Sequence, residues 1–266
     1  MQAPPGETSR PEDPPGFVVR TEAQKAAFDN GFRIEEGAAA GWLRFRSTTA
    51  HGRIWIAGAG ASGPWFLSID HAGVAAEMAD WPAETTAGPG VRTWRFPALP
   101  PLYAALDRIY RLGVSLPAAP LARFEAKAAG LPRATEAERL VVQRVGQDIF
   151  RDALLDYWEG RCPLTGITER PLLRASHIVR WADCTSDAQR LDVHNGLLLS
   201  ALWDAAFDEG LVTFDDDGLA IASPSLGSIA RAALGLAAPA RLDGLRDEHR
   251  ANLAWHRANV FRKSEP

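Results

Sequence analysis

Residues 172–210 read LLRASHIVRWADCTSDAQRLDVHNGLLLSALWDAAFDEG, and the fold turns on this stretch. LLRASHIVRW is a β-branched and aliphatic run that reads as a strand, entered through the turn-like CPLTGITERP. After a polar loop, NGLLLS reads as a second short strand. SALWDAAFDEG then reads as a helix of about two turns, with Ser200 as its N-cap. LVTFDDDG follows as a further strand ending in a turn. Strand, loop, strand, short helix is a ββα unit.

That order gathers chemistry. His177 falls late in the first strand, Asn195 directly before the second, and Asp204 and Asp208 on the helix. Four residues apart, the two carboxylates project from one helical face. Hard oxygen ligands suit Mg²⁺ or Mn²⁺, and a neutral imidazole can take a proton from water, so His177 is a candidate general base. Asn195 cannot titrate, and its amide suits pinning the loop that carries the base. Each residue also has a plainer interpretation. His177 can be a half-buried histidine, Asn195 before Gly196 a turn residue, Asp204 a first-turn carboxylate favoured by the helix dipole, and Asp208 a helix-terminal residue.

Upstream, Thr135 and Glu138 form a capping-box pattern that opens a helix running to Gly160. Its expected apolar stripe is Leu140, Val141, Val145, Ile149, Leu154 and Leu155. Arg144, Gln147 and Arg151 on this helix, with Arg174 and Arg180 flanking His177, are candidate contacts to phosphate oxygens. They can equally be exposed polar residues of an ordinary helix and strand.

CPLTG, LLRASHIVRW, HNGLLLSALWDAAFDEGL and TFDDDG, in that order, together resemble the HNH nuclease domain, in the branch found in bacterial restriction-type endonucleases. The helix ERLVVQRVGQDIFRDALLDYWEG resembles the segment that precedes the domain in that branch. The resemblance implies a general-base histidine at His177, a structural asparagine at Asn195, and metal ligands at Asp204 and Asp208. It also implies one-metal hydrolysis of a phosphodiester leaving 5′-phosphates, with His177 deprotonating the attacking water. Two departures stand out. Many such domains place Asp or His directly before the base, where this chain has Ser176, and Asp204 replaces the final histidine of the name. Relatives with paired CxxC motifs hold a structural zinc; with only Cys162 in place here, none is expected. The departures leave open a non-catalytic DNA-binding or regulatory protein on the same scaffold.

At 266 residues two domains are expected. The composition, 46% hydrophobic and 23% charged, is that of a globular chain, and its apolar runs fall short of the ~18 residues of a membrane span. Net charge is −4, but charge is unevenly placed. From Arg123 to Trp181 there are ten basic and eight acidic residues, and from Ala182 to Asp217 nine acids against one Arg. Such a division fits a metal site beside a phosphate-binding surface, or two solvated faces. Two cysteines, Cys162 and Cys184, exclude a disulfide framework and fit a reducing cytoplasm. Asp215-Asp216-Asp217-Gly218 reads as a hairpin turn rather than a second metal site.

The fold expected is α+β. Residues 1–16 form a Pro/Gly-rich disordered tail with no signal-peptide character, and 17–115 a small mixed domain serving target recognition or regulation. Residues 116–134 form a helical connector, and 135–266 a ββα-metal domain with its core at 161–218 and flanking helices. In the first domain a helix capped at Thr21 precedes the strands GWLRFRSTT, GRIWIAGAG and PWFLSI. Tryptophans at 42, 55, 65, 81 and 94 fall in this region. Strand tryptophans usually pack a core, and the alternative is a pocket for an extruded base. The partner expected is DNA, without a membrane, and with a homodimer as an open alternative. The role expected is restriction or defence against foreign or modified DNA.

Overall fold

The computed structural model describes residues 10–132 and 134–263. It is α+β and divides into two compact units, Met1–Val114 and Ser115–Pro266. Of the segment expected as a tail, residues 1–9 lie outside the described residues, and the Glu12 amide donates to the Gly58 carbonyl (2.8 Å).

In the first unit, helix α1 (Phe17–Asp29) buries Val19, Ala23, Ala26 and Ala27, a stripe of small residues at helical spacing that lets it lie close on a sheet. It begins four residues before Thr21, whose hydroxyl donates back to the Phe17 carbonyl (2.9 Å) instead of capping the helix. The sheet is antiparallel throughout, in the order β1 (Ile34–Ala39), β2 (Trp42–Arg46), β3 (Arg53–Gly58), β4 (Trp65–Ile69), β6 (Arg92–Phe96), β5 (Glu84–Thr85). Helix α2 (Ala72–Glu77), capped by the His71 ring, follows β4, and α3 (Leu99–Ser115) follows β6. Leu43, Phe45, Ile54, Ile56, Trp65, Leu67 and Trp94 are buried. At about 1.5–3 kcal/mol for each large apolar side chain, they are a main source of the unit's cohesion.

The second unit opens with α4 (Ala118–Ala128), which packs on α5 (Glu136–Tyr157). The Thr135–Glu138 capping box is present: Thr135 Oγ1 accepts from the Glu138 amide (3.2 Å), and Glu138 accepts from the Thr135 amide (2.9 Å). The buried stripe of α5 differs from the expected one. Leu140 and Val141 are exposed, while Val142, Gly146, Ile149, Phe150 and Ala153 face inward. Gly146 sets this rotation, since a Cβ there would lie 2.6 Å from the Trp181 ring.

Across α5 lies the two-stranded antiparallel pair β7 (Leu173–His177) and β8 (Gly196–Ser200), separated by α6 (Asp187–Arg190) and followed by α7 (Ala201–Asp208). The hairpin β9 (Val212–Phe214) and β10 (Ala220–Ala222) closes over Asp215, whose carboxylate accepts from the Asp217 and Leu219 amides. Helices α8 (Ser228–Ala233) and α9 (Asp247–Asn259) complete the unit. No described helix is long and apolar enough to cross a membrane.

His256 on α9 is 1% exposed, stacked on Phe207, with Nδ1 2.9 Å from the Thr213 hydroxyl and Nε2 3.1 Å from the Phe207 carbonyl. Burial pulls its pKa from 6.5 down to about 4. Between those values the unfolded chain binds a proton that the folded chain excludes. The neutral ring's stabilisation is therefore complete above about pH 6.5 and is lost as pH falls towards 4, at about 1.4 kcal/mol per pH unit per such group. The melting temperature is expected to fall between pH 7 and pH 5, with a shallower fall in His256→Gln. Identical slopes in the two proteins would contradict this.

Candidate active site

His177 ends β7 and pairs with Gly196, the first residue of β8. Its ring stacks on Phe150 of α5, with centroids 3.8 Å apart and planes 18° apart, and meets Trp181 edge-on at 5.5 Å. Gly196 makes room for this stack, since a Cβ there would lie 2.5 Å from Phe150 Cζ. The imidazole Nε2 sits 2.9 Å from the Arg190 carbonyl oxygen. A carbonyl only accepts, so Nε2 carries the hydrogen and the lone pair is on Nδ1. Burial outweighs that hydrogen bond and draws the pKa down to about 4, so the ring is neutral near pH 7.

The Arg190 carbonyl is held by the loop around it. The Arg190 side chain donates to the carbonyls of Trp181 (3.1 Å) and Cys184 (2.7 Å) and pairs with Asp187 (3.0 Å). Asn195, fully buried, ties down both ends of the same loop: Oδ1 accepts from the Val179 amide (2.8 Å), and Nδ2 donates to the carbonyls of Val179 (3.1 Å) and Gln189 (3.2 Å).

Asp204 stands in the first turn of α7 and Asp208 at its last residue. Partial desolvation raises both carboxyls. Asp208 is pushed up to about 6, with the negative charge of Asp204 as the next cause. Next to His177, Ser176 is 2% exposed, and its hydroxyl has no hydrogen-bond partner. It acts against that rise at both carboxyls without completing a hydrogen bond to either. His177 and Asp208 line one cavity of about 440 Å³ together with Ala175, Arg180, Trp181 and Glu209.

Two mutually repelling carboxyls beside an orphaned hydroxyl form a donor set that fits a hard divalent cation. Among the described residues no three His, Cys, Asp or Glu side chains gather to hold one. An ion on the Asp204–Asp208 pair would complete its shell with water and phosphate oxygens, as Mg²⁺ commonly does.

The five expected phosphate contacts divide. Arg144 and Gln147 are exposed on α5. Arg151 donates to the carbonyls of Leu173 and Arg170, and Arg174 to those of Pro171 and Leu173, so both brace the entry to β7. Arg180 lines the cavity and donates to the Asp208 carbonyl (2.7 Å). Sequence reasoning missed Phe150, Trp181, Arg190 and Gly196. The spacing of Gly146, Phe150 and Ala153 at i, i+4 and i+7 was the available signal for the first.

A two-stranded antiparallel sheet with histidine on one strand, closed by a helix carrying carboxylates, makes a ββα arrangement in the second unit. Residues 162–215, about a fifth of the chain, match a family model described as HNH endonuclease. No curated protein matches the chain at a significant level.

Proposed function

We propose that the chain is a metal-dependent DNA endonuclease, serving restriction or defence against foreign or modified DNA. The observation that carries the chemistry is the shared cavity: the neutral imidazole of His177 and the carboxyl of Asp208, charge-coupled to Asp204, border the same space. His177, its Nε2–H tied to Arg190, accepts a proton at Nδ1 from a water in that cavity as the water attacks phosphorus in line. A nearby phosphate anion raises the imidazole's pKa from about 4 towards the working pH, which strengthens it as a base when DNA is bound. Asn195 is a positioning residue, fixing the loop that delivers the Arg190 carbonyl. Asp204 and Asp208 would hold Mg²⁺ or Mn²⁺, which when bound would stabilise charge on the phosphoryl group and the departing oxygen. Arg180 is the arginine best situated to meet a phosphate in the cavity, while exposed Arg144 and Gln147 offer contacts to flanking backbone.

The purified chain is expected to nick supercoiled plasmid in Mg²⁺ or Mn²⁺ and to stop when EDTA is added. Binding of the plasmid with no nicking in any divalent metal would end the proposal in favour of a non-catalytic DNA-binding protein. The defence role is supported only by the likeness of the motifs to restriction-type relatives. It predicts unequal digestion of methylated, hydroxymethylated and unmodified DNA.

A further inference from the structure

Four of the five tryptophans of the first unit fall into two groups. Trp65 and Trp94 are fully buried in the core, whereas Trp42 and Trp55 are only partly buried and sit diagonally across β2 and β3 on the opposite face of the sheet. Arg44 lies directly across from Trp55 in the strand register. These residues line a pocket of about 500 Å³ with Pro89, the β1 residues Glu36 to Ala39 and Ala40 of the following turn.

The pocket exists because β1 supplies almost no side chain to fill it. Gly37, Ala38, Ala39 and Ala40 border the pocket beside two indoles, and a Cβ built on Gly37 would meet nothing within 4 Å. Here the strand next to them leaves a planar gap open to solvent.

The rim is cationic. A register shift between Glu35 and Gly37 brings Glu36 to Arg44 (3.2 Å), Arg46 (3.0 Å) and Arg53 (2.9 Å). Arg53 has Asp70 as a second partner (3.7 Å), so three guanidinium groups share two carboxylates and one positive charge is left over. Such exposed ion pairs contribute little, and a guanidinium can exchange one for a phosphate at small cost.

We propose that this pocket binds a nucleobase with its adjacent phosphate, the base lying against Trp42 and Trp55 and the phosphate meeting Arg44. Indole faces stack on bases of any sequence, and arginine beside them supplies the anion contact. One source is a base turned out of a DNA duplex, and for that source alone the assignment rests on the nuclease proposal. A free nucleotide carries the same chemistry, and the experiment separates the two.

The test is fluorescence anisotropy of the full chain, in EDTA so that no strand is cut, with a labelled duplex carrying one central mismatch, the fully paired duplex, and free dCMP and dAMP as competitors. The mismatched duplex is expected to bind more tightly, because its base is easier to extrude. Trp42→Ala and Trp55→Ala are expected to weaken that binding about tenfold or more, Arg44→Gln to weaken it less, and Trp42→Phe to retain it. Should the alanine variants fail to fold, Ala39→Leu fills the pocket while keeping both indoles, and the same loss is expected. If mononucleotides compete and the same variants abolish competition, the pocket holds and its source is free nucleotide. Folded variants that bind like wild type, or a wild type that binds neither probe through these residues, overturn the proposal. Plasmid nicking measured in parallel keeps the two proposals apart. Nicking with unaffected pocket variants sinks only the pocket, and lost binding without nicking sinks only the nuclease.

Discussion

His177→Ala should lower the rate of plasmid nicking by about 10²- to 10⁴-fold, the usual contribution of a positioned general base, while leaving DNA affinity close to that of wild type. The size of the effect follows from how completely the ring is committed. Phe150 fixes its plane, the Arg190 carbonyl fixes its tautomer, and burial keeps it neutral. Removing it takes away the only proton acceptor these contacts prepare. It also opens space against Phe150, so the melting temperature must be measured beside the rate. Added imidazole should restore part of the activity, because the vacated volume adjoins a cavity of about 440 Å³. Nicking at the wild-type rate by a folded His177→Ala protein would remove the histidine from the mechanism.

Asn195→Ala should be the most destabilising single change in the second unit that leaves the apolar core untouched. The amide is fully buried and satisfies the Val179 amide and the carbonyls of Val179 and Gln189. Leaving buried partners unmade costs about 1–3 kcal/mol per group, so with three partners near the lower end of that range a total of about 3–4 kcal/mol and a fall of roughly 6–16 °C in melting temperature are expected. Activity should fall as well, because the loop bearing the Arg190 carbonyl loses its tether. Asn195→Asp separates this account from simple cavity formation. It keeps the acceptor but turns a carboxylate oxygen towards two carbonyls, and should be at least as damaging as alanine. Calorimetry showing an unchanged transition in either variant would contradict the tethering role.

Local sequence carried much of the second unit, because its signals are short-range: the Thr135–Glu138 cap, the aliphatic runs of β7 and β8, and the four-residue spacing of Asp204 and Asp208. What braces the histidine was not legible in the same way. Phe150, Trp181 and Arg190 meet His177 only after α5 packs across the hairpin, and Gly146 and Gly196 matter for what they allow to approach. The expected stripe through Leu140 and Val141 failed at the first turns of α5 for the same reason. Periodicity finds an apolar face, but tertiary contacts decide which one is covered. In the first unit β1 escaped notice because IEEGAA has no strand-like alternation and becomes a strand only by pairing with β2. The tryptophans carried two opposed meanings, and burial assigns Trp65 and Trp94 to the core.

Everything proposed for the second unit requires that Asp204 and Asp208 act as one cation site. Titrating the full chain with Mn²⁺ and following the free ion by electron paramagnetic resonance reads this directly, without DNA or turnover. The account predicts one bound ion per chain in wild type and none at the same concentrations in the Asp204→Asn, Asp208→Asn double variant. A double variant that binds Mn²⁺ as wild type does, or a wild type that binds none at millimolar metal, would contradict it.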